Sequence, residues 1–288
     1  MPEKPYPLKP EARPILKWAG GKRQIMKCLI SNVPGRFGLY YEPFVGGGAL
    51  MTSLYNLGLL KRRVVSDINQ DLVGLYKIVK RKPAELAEEV LSLKFRNNRS
   101  DYYTVRNEYN SMDGKFDVGK GSLFLYLNRH CYNGLYRVNS SGEFNVPFGK
   151  YRNPGLPTAS DIMLFSQALK NIEIKGTDFG DAVKNSSEGD FVHFDPPYMP
   201  FSPSANFTEY NSSDFKEAEQ KRLFRVFNDL SERKVRVMES NSDTDFVKEI
   251  YCFFNIIKIS ARRAINSKDS GRSSITELLI KNCPNNPC

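Results

Sequence analysis

Three short clusters in this chain combine residue types that bind or transform a ligand. In Asp195-Pro196-Pro197-Tyr198, consecutive prolines fix φ and remove two N–H donors, leaving a carboxylate, backbone carbonyls and one aromatic ring. Such an acceptor-only surface suits a planar group carrying an –NH₂, which donates two hydrogen bonds while its ring stacks on Tyr198. The structural alternative is a rigid loop with a capping acid, but Phe201, Phe207 and Tyr210 just downstream add stacking surface. In Phe44-Val45-Gly46-Gly47-Gly48, glycines let the backbone turn tightly and approach a ligand. Asp67 follows at close to the ~20-residue spacing at which an acid meets ribose hydroxyls. The dinucleotide fingerprint lacks its further glycine here and no G-x-x-x-x-G-K-[ST] loop occurs, so a nucleoside ligand without a pyrophosphate fits better. The third cluster, Leu16-Lys17-Trp18-Ala19-Gly20-Gly21-Lys22-Arg23, holds the sole Trp of the chain. Its Gly-Gly-Lys turn could lay amides and an ammonium against a ligand carboxylate, or its Trp could simply plug the core.

Other chemistries find little support. The five cysteines, Cys28, Cys131, Cys252, Cys283 and Cys288, are odd in number and form no C-x-x-C pair, which fits a reducing compartment rather than a disulfide framework. The two histidines, His130 and His193, lie far apart in sequence, so neither a metal site nor a His-dependent triad is expected, and both read as structural. Forty-two Lys and Arg against 32 Asp and Glu leave a net charge of +10, the footprint of a polyanionic partner such as nucleic acid. No window holds the roughly 18 apolar residues of a membrane span. The polar, Pro-rich opening reads as no secretory signal, and a cytoplasmic protein is expected.

The elements that must position these clusters form an α/β pattern. A strand over residues 39–44 runs into the glycine turn and a helix to about Leu57, and the short strand through Val64-Val65 ends at Asp67. Apolar residues then recur at helical spacing through Leu72, Leu75, Tyr76 and Val79 and through Leu86, Val90, Leu91 and Leu93. Further helices are expected around residues 102–109 and 122–129. A hairpin is expected where Ser140-Ser141-Gly142 separates Tyr136-Arg137-Val138 from Phe144-Asn145-Val146. Strands resume at residues 172–174, 191–194 and 235–238, with a helix from an N-capping Asp214 to about Leu230 between the last two. Residues 253–259 and 275–280 complete a parallel sheet with an antiparallel edge. The expected division is a flexible arm over 1–14, an α/β domain over 15–68 and 157–288, and a helical and β-hairpin insert over 69–156. The runs Lys61-Arg62-Arg63 and Lys80-Arg81-Lys82 read as surface.

Taken together, and in this order, the clusters resemble the Dam-type DNA adenine-N6 methyltransferases, the D12 class of the alpha group, over residues 15–280. The resemblance runs through residues 16–22, 42–48, 66–69, 128–154 and 195–198, and continues in 205–208, Ser240-Asn241 and 262–265. It implies a Rossmann-like S-adenosylmethionine-dependent methyltransferase sheet whose insert recognises DNA, acting on double-stranded DNA; no metal is expected from the sparse histidines and cysteines, and a monomer is the default expectation. Trp18 and Lys22 would contact the cofactor, Phe44, Gly46 and Gly48 would line its pocket, and Asp67 would hold its ribose. Asp195 and the Pro196 carbonyl would accept hydrogen bonds from the adenine N6 amine with Tyr198 stacked on the base, favouring a nitrogen lone pair that attacks the sulfonium methyl in line. Asp195 also borders the cofactor.

On the same likeness the site is GATC and the base flips out of the duplex. Tyr132 would wedge into the stack with Asn133 supporting it, and Arg137 would take a guanine edge, a bidentate contact worth about 1–3 kcal/mol of discrimination. Leu135 and Pro147 would touch bases, while Arg262 and Arg263 would meet phosphates. The alternatives are another DNA site such as GATATC, or a member that binds DNA without activity. Cytosine-N4 enzymes commonly carry Ser, and protein-glutamine enzymes Asn, where this chain has Asp195. A restriction–modification role with a cognate endonuclease encoded nearby, a replication or repair mark and a phage origin all stay open.

Overall fold

The computed structural model describes residues 10–22, 24–112, 114–198, 215–261 and 275–282. In chain order, α1 (Met26–Asn32), β1 (Tyr40–Glu42), α2 (Ala49–Asn56) and β2 (Arg63–Asp67) come first. Four helices follow: α3 (Gln70–Arg81), α4 (Pro83–Ser92), α5 (Arg99–Ser111) and α6 (Val118–His130). A short 3₁₀ turn at Tyr132–Gly134 leads towards α7 (Ala159–Ala168), β3 (Ile172–Gly176), α8 (Phe179–Val183) and β4 (Phe191–Phe194). The last elements are α9 (Glu217–Glu232), β5 (Arg236–Ser242), α10 (Asp245–Ile250), β6 (Asn255–Ala261) and β7 (Ile275–Lys281).

The strands form one seven-stranded sheet in the order β3-β2-β1-β4-β5-β7-β6. Pairing is parallel from β3 through β5, and β7 runs antiparallel to both β5 and β6. Successive residues of each strand point to opposite faces, and both faces are apolar. Tyr40, Val65, Phe191, Met238 and Leu279 join the core beneath α2, α3 and α7. Tyr41, Val64, Val192, Val237 and Leu278 join a second core under α8, α9 and α10. The result is helix, sheet, helix in three layers, as continuous apolar strands require. The direction of chain progression reverses between β1 and β4, which opens a crevice at the carboxyl ends of those strands.

The first core extends past the sheet into α4, α5 and α6. Helix α6 is buried around its circumference, with residues 121–128 all inside. Side-chain caps fix where these helices start: Asn69 for α3, Asn98 for α5 and Asp117 for α6 each accept a backbone N–H. After the 3₁₀ turn, isolated antiparallel bridges pair Cys131 with Phe148 and Val138 with Phe144 in place of a continuous ladder. The turn between them is built by Asn139, whose side-chain oxygen accepts from Ser141 and Glu143 N–H at 3.0 and 2.9 Å.

Three details depart from the reading of the sequence. Helix α9 starts at Glu217 behind Lys216, which makes no side-chain cap, while Asp214 lies outside the described residues. Arg63 is buried, not a surface charge: it opens β2, donates to the Lys170 carbonyl at 3.0 Å and lies over the Tyr55 ring. Ala12 is buried and exchanges two hydrogen bonds with the Asn56 amide at 3.1 and 2.9 Å, so the packed body begins before residue 15.

Candidate active site

The glycine turn sits directly beyond β1. Gly46 and Gly48 have φ of +47° and +71°, a conformation L side chains rarely adopt, and Gly48 occupies the N-cap position of α2. A Cβ at Gly46 would also lie 2.8 Å from Trp18 Cδ1, so the missing side chain is what lets the indole lie on the turn. The turn is fastened from two sides: Gly46 N–H donates to Asp67 Oδ2 at 3.1 Å, and the Tyr76 hydroxyl donates to the Gly46 carbonyl at 2.6 Å. Asp67 ends β2 and also accepts from Asn69 N–H at 3.0 Å. Burial raises its pKa, and the backbone donors oppose the shift. Phe44 lies beside the turn, stacked on Phe179 at 5.3 Å between centroids.

Asp195 follows β4 on the other side of the crevice. Lys22 Nζ stands 2.9 Å from its Oδ1 and 3.5 Å from Glu277 Oε2, hydrogen-bonds to the Tyr198 hydroxyl, and lies 4.2 Å from the Tyr198 ring centroid. Tyr198 donates to Glu277 Oε2 at 2.8 Å, which closes a network of two acids, one phenol and one ammonium. Burial pushes the Asp195 carboxyl up, and Lys22 pulls it back towards the ionised form. Pro196 is buried, and the Pro197 carbonyl accepts from Gln220 at 3.4 Å. Gln220 is held by Asn241 at 3.0 Å; Asn241 also donates to Glu239, which takes the Tyr251 hydroxyl. Burial moves two nearby acids into the neutral range, Glu42 to about 8 and Glu239 to about 7.

The hairpin forms the outer wall. Tyr132 is 52% exposed, with its N–H on the Pro147 carbonyl at 2.8 Å. Asn133 adopts φ +54° and donates its N–H to the Tyr151 hydroxyl at 2.8 Å. Asn145 takes Arg137 Nε on its side-chain oxygen at 2.6 Å and Arg137 Nη2 on its carbonyl at 3.0 Å. One cleft of about 3040 Å³ is lined by Trp18, Lys22, Phe44, Gly46 and Asp67, by Asp195, Pro196 and Tyr198, and by Tyr132, Asn133, Leu135, Arg137 and Pro147. Gly48 is buried behind that lining. Small-molecule pockets occupy roughly 300–1,000 Å³, so the cleft has room for more than one ligand. Arg262 and Arg263, with Phe201, Phe207 and Tyr210, lie outside the described residues. The histidines are structural in setting: His130 stacks on Tyr126 at 3.9 Å, and burial lowers His193 to about 3, leaving it neutral.

Sequence reasoning did not single out Glu277, Phe179 or Asp71, and it used Tyr76 only as one position of an apolar stripe. Signals existed for two of them. Glu277 is an acid inside an otherwise apolar run, and a buried Tyr requires a partner for its hydroxyl. Phe179 and Asp71 carry no such local mark.

The fold is an α/β sheet whose strand ends bring a glycine turn with a buried carboxylate and the Asp195–Tyr198 segment into one cleft. The model of the D12 class N6 adenine-specific DNA methyltransferases matches residues 18–265. The chain is 41% identical to the Type II methyltransferase M.MjaIII of Methanocaldococcus jannaschii, covering 94% of this chain and 99% of that one. It is 38% identical to the DNA adenine methylase of Serratia marcescens, over 93% and 97% of the two chains. It is 36% identical to that of Escherichia coli K12, over 93% and 94%. The chain therefore belongs to the D12 class of adenine-specific DNA methyltransferases and is an enzyme of that activity. Methyl transfer in this class implies S-adenosylmethionine as donor, and the residues present fit it. Gly46 lines the cleft beneath the Trp18 indole, Ile68 offers an apolar rim at 74% exposure, and the Asp67 carboxylate, with about four acceptor directions, has capacity for a ribose hydroxyl beside its backbone donors.

Proposed function

We propose that the enzyme methylates adenine N6 in duplex GATC, on a base swung out of the helix, and that residues 69–156 read the site. The observation that carries this reading is the convergence of Asp195, Pro196 and Tyr198 with Asp67, Gly46 and Trp18 on one cleft whose outer wall bears Tyr132, Leu135 and Arg137. The GATC assignment rests on the likeness of residues 128–137 and 144–149 to the segment with which GATC-specific members read DNA. Relatives named Type II methyltransferases support a restriction–modification setting with a cognate endonuclease.

The N6 lone pair of adenine is delocalised into the ring, so the amine is a poor nucleophile. Asp195 and the Pro196 carbonyl accept its two N–H groups, which draws the nitrogen towards a pyramidal shape with a localised pair, while Tyr198 stacks on the ring. Bound against Trp18, Gly46 and Asp67, S-adenosylmethionine supplies an electrophilic methyl group. The proton that N6 gives up has an acceptor in the Asp195 carboxylate. Positioning and preorganised acceptors supply the acceleration. Tyr132, half exposed on the hairpin, fills the gap that the departing base leaves, at an unstacking cost of a few kcal/mol.

Replacing the acceptor tests the reading. Asp195→Ala abolishes methyl transfer, by about 10³-fold or more on the scale of losing a preorganised transition-state contact, while duplex affinity measured by anisotropy stays near that of the parent. Retained transfer would overturn the role given to Asp195.

A further inference from the structure

Asp71, in the first turn of α3, accepts two phenols: the Tyr109 hydroxyl from α5 at 2.5 Å and the Tyr136 hydroxyl from the hairpin at 2.7 Å. Tyr136 immediately precedes Arg137. Its ring stacks on Trp18 at 6.1 Å with an interplanar angle of 26°, and meets Phe124 and Phe144 edge-on at 5.7 and 5.8 Å. Trp18 lies in turn on the Gly46 turn, and Asn69, which hydrogen-bonds to Asp67, caps the helix that carries Asp71. The wall of the nucleoside seat and the base of the hairpin are therefore one contiguous structure, with Tyr136 at the joint.

We infer that Asp71 and Tyr136 form a positioning pair that sets the register of Arg137 towards DNA, and so act on sequence discrimination rather than on methyl transfer. The inference rests on the reading of Arg137 proposed above. Restraints bracket that arginine on both sides: Asn145 holds its head group and donates its N–H to the Arg137 carbonyl at 3.0 Å, and the Tyr136 hydroxyl, on Asp71, holds the residue before it. The Phe144–Val146 side of the hairpin is tied to α5 by the Asn110 amide, at 3.0 and 2.9 Å from the Phe144 carbonyl and N–H, and by the Tyr102 hydroxyl on the Val146 carbonyl at 2.7 Å; the Tyr136 bond to Asp71 ties the side that carries Arg137 to α3. Bidentate recognition of a base edge tolerates displacements of only about 0.5 Å or 10–20°, so a loosened register costs specificity before it costs non-specific affinity. Burial and the Asp71 charge both raise the Tyr136 pKa, which keeps the phenol a donor across the working pH range.

The test is equilibrium binding of the full chain, saturated with S-adenosylhomocysteine, to a GATC duplex and to a duplex with the guanine pair replaced. Tyr136→Phe, which keeps the ring, and Asp71→Asn, which keeps the volume, each reduce the cognate to non-cognate affinity ratio about tenfold, the scale of a hydrogen bond to a charged group. Affinity for the non-cognate duplex, and for S-adenosylhomocysteine by calorimetry, stays within about twofold. An unchanged ratio in both variants, with Arg137→Ala collapsing it, overturns the pair and leaves the arginine reading intact. An unchanged ratio in Arg137→Ala overturns the arginine reading itself, and the pair with it. Parallel loss of affinity for both duplexes and for S-adenosylhomocysteine reduces the pair to structural support and overturns its role in discrimination.

Discussion

Protonation of a carboxyl group removes its charge and turns one of its oxygens into a donor, so a site that needs two acceptor oxygens is best served by the ionised form, which Lys22 favours at Asp195. Burial raises its pKa and the ammonium 2.9 Å away lowers it. Lys22 has a second acidic neighbour in Glu277, at 3.5 Å, so it has an anionic partner to rest on when an incoming amine takes the Asp195 oxygens. Removing the cation leaves burial unopposed, and the Asp195 pKa rises. Activity lost on the acid side of the pH–rate profile reports protonation of that carboxylate. Lys22→Met should therefore move the acid limb to higher pH relative to the parent enzyme. An acid limb at the same pH in both proteins would show that Lys22 does not keep Asp195 ionised.

At the scale of elements, the site depends on short backbone segments that strand ends deliver. Gly46 is the sharpest case, since an alanine there faces both a left-handed φ, at roughly 1–2 kcal/mol, and contact with the Trp18 indole at 2.8 Å. Gly46→Ala should weaken S-adenosylhomocysteine binding by about tenfold or more, with the indole pushed off the turn and the fold kept; calorimetry reads the first and circular dichroism the second. Undiminished affinity would remove the glycine turn from the binding site. Much of this layer was legible in the sequence. Asp67 at the end of β2, Asp195 just beyond β4 and a turn over Ser140-Ser141-Gly142 follow from period, spacing and turn chemistry, which are local properties, while the Asn139 side chain that builds the turn was not singled out. What was not legible is set by tertiary contact. Lys22 and Asp195 read as parts of separate clusters, and the segment ahead of α1 meets the end of β4 only in the folded chain, through their ion pair at 2.9 Å. Glu277 enters through the antiparallel β7, and Asp71 meets Tyr136 across 65 positions of sequence. Arg63 misled because a charge run usually stays solvated, whereas here β2 begins inside it.

The whole molecule joins two walls around one cleft: the strand ends with Asp67 and Asp195, and a helix-backed hairpin with Tyr132, Leu135 and Arg137. The net charge of +10 suits the phosphate backbone without choosing a sequence. On the function proposed above, choice of sequence falls to the hairpin and choice of atom to the acceptors beyond β4. Transfer of a tritiated methyl group from S-adenosylmethionine to duplexes containing GATC, GATATC and single-base variants of GATC tests both at once. Label is expected at adenine N6 in GATC alone, with each single-base variant reduced at least about tenfold, as loss of one bidentate base contact requires. Label at N6 in a different sequence would contradict the base-reading assignments. Label on another atom, or none on any duplex, would contradict the central claim that the Asp195 site selects the adenine amine.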